Sequence, residues 1–144
     1  MITAKSLEEV RKQLKNATTP KYVLAHDEKF NRAVLEQIKP GFLVMNHARQ
    51  KSDTLRSLDL PLNDVAARIA AKNGVAICFD LQVLRILPLE TKARELARIA
   101  NTISICRKTQ TKLALLNAST PESAAAFLRS LGASTEQASQ ALAF

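Results

Sequence analysis

Residues 60–84 read LPLNDVAARIAAKNGVAICFDLQVL, and this stretch decides the fold. Asn63 is a good N-cap, and Val65, Ala66, Ile69 and Ala70 recur at helical spacing behind it, which predicts a helix with those four residues inward and Arg68 and Lys72 on its outer face. Asn73-Gly74 closes it, because glycine takes the left-handed position past a helix end without a steric penalty. Val75-Ala76-Ile77-Cys78-Phe79 is then apolar without alternation, as a strand covered on both faces of a parallel sheet must be. A helix running straight into such a strand is half of a βαβ unit.

The same alternation extends in both directions. Upstream, Ile2-Thr3-Ala4 is a strand candidate, Ser6-Leu7-Glu8-Glu9 a capping box, and Leu7, Val10 and Leu14 one helical face. Tyr22 to Ala25 reads as a strand, and Asp27 as the cap of a helix burying Phe30, Val34 and Ile38, stopped by Pro40-Gly41. Phe42 to Met45 is a further strand, followed by a polar loop from Asn46 to Asp59. Downstream, a loop through Arg85 and Pro88 is expected to lead to a long helix over about 90–108, with Ala93, Leu96, Ala100, Ile103 and Cys106 as its buried stripe. Leu113 to Leu116 is the fifth strand candidate. Thr120-Pro121 then opens a helix containing Ala125, Phe127 and Leu128 that ends at Gly132, and Ser134 to Gln137 caps a short last helix. About five βα units follow, giving an α/β domain over 1–144 with a mostly parallel sheet and right-handed crossovers.

Composition narrows the function. With 144 residues and 47% apolar content the chain can bury a core unaided, and no segment has the length of a membrane span or signal peptide, so a soluble cytoplasmic protein is expected. Cys78 and Cys106 lie in apolar segments without CxxC spacing, which predicts buried free thiols. The charge is +8, from 21 Lys and Arg against 13 Asp and Glu, a balance that attracts polyanions. It is concentrated in residues 85–112, which carry 7 basic and 2 acidic side chains. No Trp and one Tyr argue against a base-stacking platform.

Catalytic motifs are sparse. His26 and His47 each follow a strand candidate and Asp80 ends another, so the three could share the carboxyl rim of the sheet, where α/β sites lie. Two histidines and one aspartate are a thin set for a small metal-dependent phosphoesterase, which stands as the enzyme alternative. Three glycines cannot build a dinucleotide or Walker loop, and no serine sits in a nucleophile arrangement. The residues describe a binder, with protein docking as the remaining alternative.

The stretch 60–84 resembles the central segment of ribonuclease P protein component three, the thirty-kilodalton-subunit family of archaea and eukaryotes. Arg94 to Lys108 is similar to that family's long basic helix and Leu113 to Ala118 to its next strand. Arg129-Ser130-Leu131-Gly132 with Ser134 to Ala138 is similar to its C-terminal helix pair. Asn31-Arg32-Ala33 and Asn46 to Lys51 stand where the family has a helix-borne arginine and a basic loop, so the resemblance spans roughly residues 21–142. It implies an incomplete TIM-barrel-like fold and a non-catalytic subunit binding ribonuclease P RNA, which removes the 5′ leader of precursor tRNA. It also implies a small ferredoxin-like partner subunit, no cofactor on the protein itself, and magnesium on the RNA.

On that resemblance the RNA contacts would be Arg32, Arg49, Lys51, Arg68, Lys72, Arg85, Arg98, Arg107 and Lys108, neutralising phosphates rather than reading sequence. The chain departs from the family in three places. Five units stand against the eight of a closed barrel of about 250 residues, the additional ones being N-terminal. The region 118–121 lacks a basic insertion, and Asn63 replaces a histidine. An open sheet leaves edges and a face to cover, so homo-association or the partner subunit is expected there.

Overall fold

The computed structural model describes residues 1–3, 6–16, 21–46 and 62–144. Five parallel strands form one sheet in sequential order: β1 (Tyr22–Leu24), β2 (Phe42–Val44), β3 (Ala76–Asp80), β4 (Leu113–Leu116) and β5 (Leu142–Ala143). Sequential order in a parallel sheet means that each crossover steps one strand in the same direction, so right-handed connections place the helices on one face. These are α1 (Leu7–Lys15), α2 (Glu28–Ala33), α3 (Asp64–Asn73), α4 (Leu81–Ile86), α5 (Leu89–Thr109), α6 (Pro121–Ser130) and α7 (Thr135–Ser139).

Side-chain alternation separates two apolar layers. Val23, Leu43, Ile77, Phe79, Leu113 and Leu115 point to the helices and pack with Val10, Val34, Leu35, Ile99, Ile103 and Leu128 into the main core. Each such fully buried side chain contributes about 1.5–3 kcal/mol. Phe42, Val44, Ala76, Cys78 and Ala114 point the other way, with Tyr22, Leu24 and Leu116 packed against them. This second face is closed by curvature. Phe144, just beyond β5, meets Tyr22 of β1 edge-on with ring centroids 6.2 Å apart, and Phe42 at 5.3 Å, while Tyr22 stacks on Phe42 at 4.7 Å. The rings bring the two ends of the strand order together as an incomplete barrel.

Both termini of the strand count differ from the sequence expectation. Ile2 makes only an isolated parallel bridge to Val23, donating to the Tyr22 carbonyl and accepting from Leu24, so the predicted first strand is an edge cover for β1. Leu142–Ala143 supplies the fifth strand instead; two residues after a helix carry no periodic signal. Leu81–Ile86, expected as loop, is a helix capped by Asp80.

Two helix faces also rotate. Val65 is 48% exposed while Ala67 is fully buried, because alanines let α3 approach α5 closely. In α5 the expected Ala93 is exposed and Ile99 takes its place in the stripe. After α2 the chain widens into a π turn over Val34–Ile38, with Lys39 N donating to the Val34 carbonyl. The widened turn buries Val34 and Leu35 side by side and leaves Ile38 half-buried, which a regular 3.6 period would not do. Cys78 and Cys106 are buried and free, and burial pushes both thiols up to about 12.

Candidate nucleic-acid interface

Helix termini sort the charges in this fold. The crossover helices α1, α2, α3, α5 and α6 run antiparallel to the strands, so their first turns lie at the carboxyl rim of the sheet and their last turns point to the amino rim, whereas the short α7 begins beside the amino rim with Glu136 in its first turn. First turns carry Glu8 and Glu9, Glu28, Asp64, Glu90 and Glu122, where the helix dipole favours anions. Arg32 ends α2 ahead of the π turn and Arg85 ends α4, while the last turns of α1, α3, α5 and α6 carry Lys12 and Lys15, Lys72, Arg107 with Lys108, and Arg129. Lys39 before β2 and Lys112 before β4 join them at the amino rim. The surplus of cations therefore faces the side opposite to the one where α/β sites usually lie.

The individual candidates fall into groups. Lys72, Arg107 and Lys108 are exposed on the amino rim, and none has a carboxylate within ion-pair distance among the described residues. Arg68 is exposed on the outer face of α3, and Arg85 on α4 beside the carboxyl rim. Arg32 is exposed but bonded at 2.9 Å to Glu36 one turn on, a hydrogen bond and attraction that raise its already high pKa. Arg98 is half-buried against Glu95, their side chains 14% and 6% exposed, so this guanidinium faces its own helix neighbour. Arg49 and Lys51, with His47, lie outside the described residues.

The carboxyl rim has been put to structural use. Asp80 Oδ1 accepts from Gln82 N at 2.9 Å, capping α4, and from Asn117 Nδ2 at 2.8 Å. His26 is exposed, its ring edge-on to Phe30 and its Nδ1 3.6 Å from Asp27. Its backbone N–H donates to the buried Asn31 Oδ1 at 2.7 Å, and Asn31 Nδ2 donates back to the His26 carbonyl. Asn31 thus fixes the turn out of β1. Among the described residues no three His, Cys, Asp or Glu side chains come together as a metal site would require. No described helix is long and apolar enough to cross a membrane.

A cavity of about 540 Å³ opens at the amino rim between the end of α5, the start of β4 and α7, with Arg107 and Lys112 among its lining residues. Sequence reasoning marked Arg107 but missed Lys112, which stands singly before a strand; only the spatial approach of α7 gives it a partner surface.

No family model matches the chain, and no curated protein matches it in sequence. Among solved structures, a chain of the cryo-EM structure of archaeal ribonuclease P with mature tRNA superposes with a TM-score of 0.75 at 21% identity, over 96% of this chain and 61% of that one. The likeness shows a shared fold, with this chain spanning under two thirds of its neighbour's length.

Proposed function

We propose that this chain is a non-catalytic RNA-binding subunit of ribonuclease P that supports removal of the 5′ leader from precursor tRNA by the catalytic RNA. The observation that carries the reading is the amino rim, where Lys39, Lys72, Arg107, Lys108 and Lys112 gather without carboxylate partners among the described residues on a fold shared with a chain of archaeal ribonuclease P. Exposed, unneutralised cations release counterions from phosphates and suit recognition of a folded RNA by shape. The resemblance of residues 60–84 to component three of the enzyme supports the same assignment. On this reading the partners are the ribonuclease P RNA, a small ferredoxin-like subunit and, through the RNA, precursor tRNA; the setting is cytoplasmic. The protein holds no cofactor and the magnesium belongs to the RNA. A second copy of the chain is the alternative cover for the outer edge of β5.

The phosphoesterase alternative needs the Asp80 carboxylate for a metal, and one of its oxygens already serves Gln82 and Asn117. Reconstitution decides the matter. Adding the chain to a ribonuclease P RNA with its other subunits should raise precursor-tRNA cleavage at moderate magnesium, and its RNA affinity should fall steeply with salt. Cleavage unchanged by the protein, or an affinity flat from 50 to about 200 mM salt, would end the proposal.

A further inference from the structure

Seven asparagines stand in the chain, and Asn73 alone precedes a glycine. Such a pair is labile wherever it is free to move. With no Cβ on the following residue, nothing shields its backbone nitrogen from the asparagine side-chain carbonyl, and the freedom of glycine lets the two meet. Both residues nevertheless have structural reasons to be where they are. Gly74 takes the left-handed position past α3 at φ 69°, where a side chain would be strained although open space surrounds the site. Asn73 donates its side-chain amide to the Leu35 carbonyl of the π turn at 2.9 Å. The helix end requires one residue and the π turn the other, and the labile pair is the result.

The same contacts restrain the chemistry. Ring closure needs the Gly74 nitrogen as nucleophile and Asn73 Cγ as electrophile. In the fold the Gly74 N–H donates to the Ala71 carbonyl at 3.2 Å and also meets the Ala70 carbonyl, to which Val75 N donates at 2.9 Å. Asn73 is the last helical residue and its amide is tied to Leu35, so Cγ cannot swing onto the Gly74 nitrogen while α3 stays against the π turn. Asn73 is half-buried and Gly74 exposed, which keeps water at hand.

We propose that Asn73 is a site of spontaneous deamidation gated by the contact between α3 and the π turn, so that opening of that contact leaves an irreversible mark on the chain. The Gly74 nitrogen gives its proton to water and bonds to Asn73 Cγ, and the side-chain nitrogen leaves as ammonia, closing a cyclic imide. Water then adds to one imide carbonyl and breaks its bond to the ring nitrogen. Addition at Cγ yields aspartate. Addition at the main-chain carbonyl yields isoaspartate, whose backbone runs through the side chain and is longer by a methylene. The net change is water taken up and ammonia released, with nothing oxidised or reduced.

Either product undoes the gate. A carboxylate at 73 is ionised at neutral pH, has no donor to offer, and sets acceptor against acceptor at the Leu35 carbonyl. The isoaspartate link also shifts the Gly74 N–H away from Ala71. A negative charge then stands beside Lys72 on the amino rim. Its effect on RNA rests on the reading of that rim as phosphate-binding, whereas the modification itself does not.

The full chain is incubated at neutral pH and one temperature, in native buffer and in urea above its unfolding midpoint, then digested under mildly acidic conditions. The peptide holding residues 73 and 74 is followed by mass and by fragmentation that separates aspartate from isoaspartate. In urea Asn73 should convert at least about tenfold faster than the other asparagines. In native buffer it should convert at least about tenfold more slowly than in urea, and that slowing should match within about threefold the hydrogen-exchange protection of the Gly74 amide. Gly74→Asn, which tolerates the left-handed turn but carries a Cβ, should slow conversion in urea about tenfold. Conversion in urea spread evenly over the asparagines, or a native rate within about twofold of the urea rate, overturns the site. A slowing unrelated to Gly74 protection overturns the gate.

Converted chain, refolded, should melt at lower urea than unconverted chain. Asn73→Asp, the homogeneous product, should bind ribonuclease P RNA about twofold to threefold more weakly at low salt. RNA binding unchanged in Asn73→Asp, with conversion proceeding as described, would count against the amino rim and spare the modification site.

Discussion

The side-chain amide of Asn73, the last residue of α3, donates to the carbonyl of Leu35 inside the π turn at 2.9 Å. The two residues are 38 apart in sequence. A π turn loosens the backbone ladder, and Asn73 supplies one donor to the half-buried carbonyl left there. Removing it in Asn73→Ala should cost about 1–2 kcal/mol, read as a lower urea midpoint with unchanged slope. Asn73→Asp should cost more, because an acceptor then faces the Leu35 carbonyl.

Asp80 offers a contrast between structural and metal-binding roles. Its Oδ1 takes a backbone N–H from Gln82 and an amide N–H from Asn117, whose own φ of 59° is left-handed. Asp80→Ala removes the α4 cap and leaves the strained Asn117 amide without that acceptor, for an expected loss of about 2 kcal/mol. RNA affinity at a temperature where the variant is folded should stay within about twofold of wild type, a shift of under 0.5 kcal/mol. Stoichiometric zinc or manganese that disappears with Asp80→Ala would instead revive the enzyme alternative.

Strong local signals carried most of the architecture. Caps at Ser6, Asp27, Asn63, Thr120 and Ser134 all accept from the backbone N–H groups their positions predict, and Gly74 and Gly132 take the left-handed turns. The apolar run of β3 is buried along its whole length. What escaped was set by tertiary contact: the exposure of Val65, the burial of Leu35 through a π turn, and the strand at Leu142–Ala143 that exists because β4 offers it an edge. The charged site was only half legible. Counting cations found the basic segment, but the segregation of charge between rims comes from helix direction, and Lys39 and Lys112 acquire meaning only through it.

That segregation makes a directional prediction. Lys72→Gln, Arg107→Gln and Lys108→Gln together remove three amino-rim cations and should lower the slope of log affinity against log salt by about 2–3. Removing Arg32, Lys29 and Arg85 by the same substitutions deletes equal charge elsewhere and should change that slope by less than about 1. A common response to both sets would mean that net charge, and not the rim, drives association.

The buried thiols make stability fall at alkaline pH. Cys78 and Cys106 are held near 12 by burial, with the Asp80 charge adding to the effect on Cys78, whereas an unfolded thiol ionises at about 8.5. Between those values the unfolded state has released protons that the folded state keeps, so stability is unaffected below about pH 8 and declines as pH rises toward 12. The slope for two such thiols approaches about 2.7 kcal/mol per pH unit. Cys78→Ala with Cys106→Ala should flatten the fall measured by urea melts from pH 8 to 10.5. Native protein at pH 8 should also resist alkylation that unfolded protein undergoes.

Arg98 tests whether a charge in the basic helix belongs to the RNA or to the fold. Its guanidinium pairs with Glu95 with both side chains largely covered, and a pair of this kind is costly to break one-sidedly because the survivor stays buried and charged. Arg98→Ala and Glu95→Ala should each destabilise by about 3 kcal/mol, while Glu95→Leu with Arg98→Met, which leaves no charge behind, should recover most of the loss. Below its melting range Arg98→Ala should bind RNA with an unchanged salt slope, since a cation already neutralised by Glu95 releases no counterions. A slope reduced by about 0.7–0.9, with stability intact, would move Arg98 from the helix packing to the phosphate contacts.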